Sequence, residues 1–274
     1  MIDLHLHTTA SDGRCTPDEL VDRASRAGVT VMAVTDHDTV AAIPEVRRAA
    51  KARGIEMIDG IEVTAVENGR DVHMLGYFID PRALELDAFL GQQRAQRITR
   101  VEALALRLAQ LGMPIDVGPL LTQARDGRGR SVGRPQVARA MVAAGYVTDT
   151  REAFDRWLAT DRPAFVPRSG PLPASVIEIV HAAGGLVSLA HPGQTQVDAH
   201  ISEYVDAGLD AIELYHPDHD ATAIDRYRNI ALQLELLATG GSDFHGDADH
   251  GYEPGTVALP EDEWIRLRNA AANA

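Results

Sequence analysis

The chain has 274 residues, and 26 Lys+Arg against 40 Asp+Glu leave a formal charge of −14 at pH 7. Its length suits one large domain, or one domain carrying an insertion, and it has no run of about 18 apolar residues to cross a membrane as a helix. The acidic balance disfavours duplex nucleic acid, whose binding rests on phosphate neutralisation. No signal-peptide pattern is visible, and the single cysteine, Cys15, excludes an intramolecular disulfide; both fit a cytoplasmic protein.

Ile2–His7 reads as a strand. Pro17–Ala27 reads as a helix with Thr16 as N-cap, Pro17 at N1, Glu19 at N3 and Gly28 as its stop. Val29–Thr35 is strand-like, Val40–Arg53 helical, and Ile55–Val63 and Val72–Phe78 are strand-like. This alternation predicts a parallel sheet with crossover helices. The rhythm breaks near residue 82, where helical patterns run without a strand to about residue 164. It then resumes, with strands at Gly185–Ala190, Ala211–Tyr215 and Leu236–Thr239 between helices at Ser175–Ala183, Ile201–Ala207 and Ala221–Gln233. The organisation expected is therefore a β/α domain over 1–85 and 165–274, interrupted by an α-helical insertion over 86–164.

Polar groups able to bind metal gather at the ends of apolar strands. His5 and His7 are two apart on a strand and so share a face. Asp12 follows them, Asp36 and His37 end the second strand, Glu62 lies near the end of the third, and His73 lies within the fourth. His191, His216, and the pair Asp243 and His245 follow the later strands. In β/α barrels the C-terminal ends of the strands form the active face. Imidazole and carboxylate without thiolate suit Mn, Fe(II) or Zn. Even without Asp36 and His216, six histidines and three carboxylates exceed the ligands of one ion, so two or three ions are expected.

Four blocks, Asp3-Leu-His-Leu-His-Thr8, Ser11-Asp-Gly13, Thr35-Asp-His-Asp-Thr39 and Gly241-Ser-Asp-Phe-His245, resemble the signature blocks of PHP-domain phosphoesterases. Glu62, His73 and His191-Pro192 fall where that family places its other ligands. The resemblance implies a distorted seven-stranded β/α barrel that hydrolyses phosphoric esters by attack of a metal-bridging hydroxide. It implies one ion on His5, His7, Glu62 and Asp243, and a second on Glu62, His73 and His191, with manganese as the usual metal. Asp12, His37 and His245 match the third-ion positions, but Asp12 stands where three-ion members carry His. Without that ion, these three residues would face the substrate phosphate. His37 and His245, then Asp12 and His216, are the candidates to protonate the leaving oxygen.

The insertion is rich in arginine. Residues 125–139 hold Arg125, Arg128, Arg130, Arg134 and Arg139 against one acid, Asp126. Arg134, Ser131 and Arg130 stand beside a helix start with Pro135 at N1, a plausible anion site. Arg94, Arg97 and Arg100 share a helix face, with Thr99 adjacent. Tyr146, Phe154 and Trp157 suit either base stacking or the insertion's own core. The blocks Ser131-Val-Gly-Arg-Pro-Gln136 and Pro163-Ala-Phe-Val-Pro167 resemble the nucleotide branch of the family. The activity expected is removal of the 3′-phosphate of a nucleoside 3′,5′-bisphosphate such as pAp, a small substrate with two phosphates. The alternative is 5′→3′ exonucleolysis of short RNA. A histidinol-phosphate phosphatase, an amidohydrolase-type enzyme acting on C–N bonds and a non-catalytic metal-binding module are weaker readings.

Overall fold

The structure is a computed structural model that describes residues 1–195, 197–246 and 252–273. Seven strands form one sheet whose spatial order follows the chain: β1 (Ile2–Asp3), β2 (Val31–Val34), β3 (Glu56–Glu67), β4 (Arg70–Tyr77), β5 (Leu186–Leu189), β6 (Ala211–Tyr215) and β7 (Leu237–Gly240). The two edges meet. Leu4 N–H donates to Gly240 O at 3.2 Å, His7 N–H donates to Phe244 O at 3.0 Å, and Leu6 bridges Phe244. The result is a nearly closed, distorted β/α barrel, as expected.

The expectation of a parallel sheet fails at one strand, because β4 pairs antiparallel with both β3 and β5. The cause is local. Asn68 and Gly69, both at positive φ, make a two-residue turn between β3 and β4. Asn-Gly is a strong hairpin signal.

Helices α1 (Pro17–Arg26) and α2 (Ile43–Ala52) cover the first strands. The α1 capping box forms as the sequence predicts: Thr16 accepts from the Glu19 N–H and Glu19 reaches back to the Thr16 N–H. Leu20, Val21 and Ala24 pack with Val46, Ala49 and Ala50.

Because β4 runs down to the barrel floor, the next helix must climb. That helix, α3 (Leu84–Gln110), has 27 residues and so rises about 40 Å. Its first half, Leu86 and Leu90, packs into the barrel's core cluster. Its second half, Val101, Leu104 and Leu108, packs with α4 (Gly118–Ala124), α5 (Arg134–Ala143) and α6 (Thr150–Ala153) in a separate apolar cluster with Val137, Met141 and Leu158. Tyr146, Phe154 and Trp157 pack against that cluster too. α6 runs on as a single π turn, Phe154–Leu158.

The chain returns through α7 (Pro173–Ala182), which descends to the start of β5. Short α8 (Pro192–Thr195), α9 (Ile201–Asp206) and α10 (Ala221–Gln233) complete the β/α units. The C-terminal α11 (Glu261–Ala271) is not foreseen from the sequence. Its Trp264 and Leu267 seal a cluster with Ile2, Leu4, Ala33 and Tyr77.

Candidate metal centre

Nearly all the strand-end residues converge. β1 delivers His5 and His7, both fully buried, with ring centroids 5.2 Å apart. His37 follows β2 and bridges Glu62 of β3. His73 enters from the start of β4, which lies at the catalytic end because that strand is reversed. The reversal explains why it alone among the candidates precedes an apolar run. His191, His216, Asp243 and His245 come from the loops after β5, β6 and β7. Asp36 is the exception: it turns away and accepts from Thr8 N–H, Thr8 Oγ1 and Ser11 Oγ at 2.6–2.7 Å, bracing the loop that carries Asp12.

Close backbone packing supports this convergence. A Cβ on Gly13 would lie 2.6 Å from His7 O, and one on Gly241 would lie 2.4 Å from His5 N. Asp38, His191 and Asp243 hold positive φ values of 51°, 26° and 49° without being glycine. Such strained backbone clusters at functional sites.

Three overlapping groups have ligand atoms that all lie within 4.8 Å of one another: His5, His7, Glu62 and Asp243; His37, Glu62 and His73; and His7, Asp12, His37 and His245. In the first group, Asp243 Oδ1 lies 3.2 Å from His5 Nε2 and 3.1 Å from His7 Nε2. Glu62 Oε2 lies 3.4 and 3.3 Å from the same atoms. Adjacent ligands about 2.1 Å from one divalent ion stand about 3.0–3.4 Å apart. Charge-assisted hydrogen bonds are shorter, about 2.7–2.9 Å.

The unsatisfied atoms agree. His5 Nε2, both ring nitrogens of His7, His37 Nδ1, His73 Nδ1, His191 Nδ1, Glu62 Oε2 and Asp243 Oδ1 are buried without a hydrogen-bond partner. Buried polar atoms are rarely left so, and eight around one centre fit divalent cations. His191 Nε2 lies 3.1 Å from Glu62 Oε1, a spacing that suits ligands of one ion, and His73 Nδ1 lies 2.8 Å from the same oxygen, within hydrogen-bond range.

Partners outside the centre set the tautomers. Glu213, fully buried in β6, accepts from His5 Nδ1 at 2.9 Å, which leaves the His5 Nε2 lone pair facing the centre. Its other oxygen accepts from His191 N–H at 2.8 Å. His245 Nδ1 donates to Asp243 O at 2.8 Å. His216 Nδ1 accepts from Asp218 N–H at 3.1 Å, so its proton sits on Nε2, 3.3 Å from Asp243 Oδ2.

Charge follows burial and these neighbours. Burial, with His245 and His37 nearby, lowers His7 to about 3 and keeps it neutral. Burial opposes ionisation of Asp12, Glu62 and Asp243, yet the surrounding imidazoles hold all three well below the usual carboxylate range. Burial alone would lower His245, but Asp12 and Asp243 override it and raise it to about 10.

A cavity of about 400 Å³ opens over the centre, lined by Pro135, Phe154, Tyr252 and the metal-competent residues other than His5 and His7. Beside it lies a smaller one of about 100 Å³, lined by Arg97, Arg100, Arg134 and Arg168 and sharing Asp12, His37, His73, Pro135 and Phe154 with the first. Asp71 Oδ2 accepts from Arg100 at 3.2 Å and from Arg134 at 3.0 Å, while Asp38 pairs with Arg97 and Arg168. Four arginines against three aspartates, Asp12, Asp38 and Asp71, leave this pocket cationic. Arg168 and Glu213 were not foreseen from the sequence.

The insertion candidates therefore divide. Arg97, Arg100 and Arg134 reach the pocket. Thr99 does not; it lies on the exposed face of α3 and donates to Ala95 O. Arg130 and Ser131 line a different cleft, on the other flank of α5.

A barrel whose catalytic end gathers histidines and carboxylates beside a cationic pocket defines a metal-dependent phosphoesterase. The comparisons agree. Residues 3–117 match the PHP domain model. The chain is 31% identical over 94% of its length to a 3′,5′-nucleoside bisphosphate phosphatase from Chromobacterium violaceum, 92% of which is covered. It is 34% identical over 89% of its length to the 5′-3′ exoribonuclease Rnm of Salmonella typhimurium, 84% of which is covered. A solved structure of a candidate metal-dependent phosphoesterase from Bifidobacterium adolescentis superposes with a TM-score of 0.87 at 33% identity, covering 97% of this chain and 94% of that one. The chain belongs to the PHP-domain family of phosphoesterases.

Proposed function

We propose that the protein removes the 3′-phosphate from a nucleoside 3′,5′-bisphosphate such as pAp, leaving the 5′-monophosphate. The observation that carries this reading is the adjacency of two anion sites, a metal centre and an arginine pocket that share five lining residues. The metal centre would take the scissile 3′-phosphate and the arginines the 5′-phosphate. A substrate with one phosphate leaves the arginines without a ligand. The Chromobacterium relative supports the same substrate class.

His5, His7, Glu62 and Asp243 would hold one ion, and Glu62, His73 and His191 a second, with manganese the ion we propose and zinc or iron the alternatives. Asp12, His37 and His245 would face the phosphate or hold a third ion. Bound divalent ions supply Lewis-acid stabilisation of phosphoryl charge and an activated water near neutral pH. The chain's own groups do the rest. Arg97, Arg100, Arg134 and Arg168 orient the substrate through its distal phosphate. Asp12 lies 3.3 Å from His245 Nε2 and orients that imidazole, which, when those residues hold no third ion, would donate the proton to O3′ as the P–O3′ bond breaks. His216 positions Asp243 through its Nε2–H. Water oxygen ends on phosphorus, and inorganic phosphate and the 3′-hydroxyl are released.

The second reading is 5′→3′ exonucleolysis of short 5′-phosphorylated RNA, supported by the exoribonuclease relatives. It breaks the same P–O3′ bond, with another nucleotide on the phosphate.

The test is phosphate release by manganese-loaded enzyme from pAp and from adenosine 3′-monophosphate, which lacks the 5′-phosphate. We expect kcat/KM to favour pAp by about 100-fold, and Arg134→Ala to remove most of that preference, since a charge-assisted contact contributes about 1.5–3 kcal/mol. Turnover of neither pAp nor a 5′-phosphorylated dinucleotide would overturn the nucleotide reading.

A further inference from the structure

A second cleft, about 620 Å³ in volume, opens between α4, α5 and the loop Thr9–Gly13. That volume lies in the range of small-ligand sites, about 300–1,000 Å³. Helix α5 divides the two cationic regions: Arg134 turns to the arginine pocket, whereas Gln136, Arg139, Ala140 and Ala143 line the cleft. The cleft adjoins the active-site cavity, because Arg139 lines both and donates to Asp12 O at 3.0 Å. Only a short loop stands between them: Ser11 and Gly13 face the cleft and Asp12 faces the metal centre.

Part of the cleft's charge is unspent, that of Arg130; Arg139 is engaged through Asp12 O. Arg125 pairs with Glu102 and Arg128 with Asp126, but Arg130 has no hydrogen-bond or ion-pair partner among the described residues. The hydroxyl of Ser131, next in the chain, is buried without a hydrogen-bond partner. The one acid in the lining, Asp116, is engaged by the Gly118 N–H at 2.8 Å. Small side chains, Ala124, Ala140 and Ala143, keep the cleft open. No aromatic ring lines it, which suits a backbone grip rather than base stacking.

We infer that this cleft holds the nucleotide on the 3′ side of the scissile phosphate in a 5′-phosphorylated single-stranded oligonucleotide. The inference rests on the phosphoesterase reading above. With the 5′-phosphate in the arginine pocket and the scissile phosphate at the metals, the remaining ester oxygen carries the chain onward. Its next phosphodiester needs a cationic path leaving the centre on the opposite flank of α5, where Arg139 and Arg130 stand in succession. A mononucleotide bisphosphate ends at the metals and makes no use of the cleft.

The two substrates therefore separate under cleft substitutions. Ala140→Phe fills the cleft, and Ala143→Glu, on an exposed position, reverses its charge. With manganese-loaded protein we expect each to lower kcat/KM on 5′-phosphorylated triadenylate at least about tenfold, while pAp turnover stays within about twofold and reports an intact fold. Arg130→Ala is expected to flatten the salt dependence of triadenylate binding by about 0.7 in the log–log slope, one phosphate contact. Equal losses on both substrates, undiminished triadenylate turnover in both variants, or an unmodified protein that processes pAp but not the trinucleotide would overturn the cleft assignment. Failure of the unmodified protein on both substrates would overturn the underlying reading instead.

Discussion

Glu213 illustrates how a residue outside the ligand set governs it. One of its oxygens fixes the proton of His5 and the other fixes the backbone of His191, so a single carboxylate aligns both sides of the centre. Glu213→Gln keeps the shape but weakens the orientation of His5 and the basicity of its Nε2. We expect manganese affinity to fall by about 10- to 100-fold, with the barrel still folded; metal titration with circular dichroism checks both, and unchanged affinity would refute the orienting role. His5, His7, Asp12, Glu62 and Asp243 are legible in the sequence because each lies near the end of a strand-like run or just beyond it. Glu213 is not. It is one acid inside the strand Ala211–Tyr215, and its partner His5 lies 208 residues away. Arg168 is equally silent, since nothing local separates it from the chain's other arginines.

At the scale of elements, Asp71 ties β4 to two helices, taking Arg100 from α3 and Arg134 from α5. Burial opposes its ionisation, but the two guanidinium groups prevail and hold it at about 2. A folded pKa below the unfolded value of about 3.9 stabilises the fold fully above that value, and the gain is lost as pH falls towards 2. Asp71→Asn should therefore cost up to about 2 kcal/mol at pH 7. The gap from the unmodified protein should narrow between pH 4 and pH 2, as urea midpoints at pH 7, 4 and 3 can show. A gap that widens on acidification would refute the assignment. The sequence declares most of these elements, and even the Asn68-Gly69 turn is written in it. The reversal of β4 was missed because an alternating β/α rhythm argues for parallel strands more loudly than one dipeptide argues for a hairpin. The π turn at Phe154–Leu158 has no pattern of its own in the sequence.

For the whole molecule, the metal centre is also a stability device. Metal-competent residues come from every strand or the loop beyond it, so an ion bound there joins the barrel across its diameter. Ligand present at 100 times its Kd stabilises by about 2.7 kcal/mol per site, equivalent to roughly 5 °C in a chain of this size. Chelation should lower Tm by at least that amount, and His191→Ala should recover only part of the shift on adding manganese. A Tm indifferent to chelator would contradict the centre. The acidic balance of the chain reads differently in this light. Asp12, Glu62 and Asp243 belong to clusters able to hold cations, while positive charge is concentrated in the arginines around α3 and α5.

The reversed strand has one more consequence. Because α3 must climb the barrel before it can present Arg97 and Arg100, it works as a ruler between the metal centre and the arginine pocket. One residue added between Leu90 and Arg97 would turn both arginines by about 100° and carry them off the pocket. Seven added residues would restore the face but raise it by about 10 Å. On the bisphosphate reading proposed above, the spacing accepted between two phosphates is thus recorded in the length of a helix, and relatives that accept differently spaced substrates are expected to differ in helical turns as much as in the residues that touch the ligand.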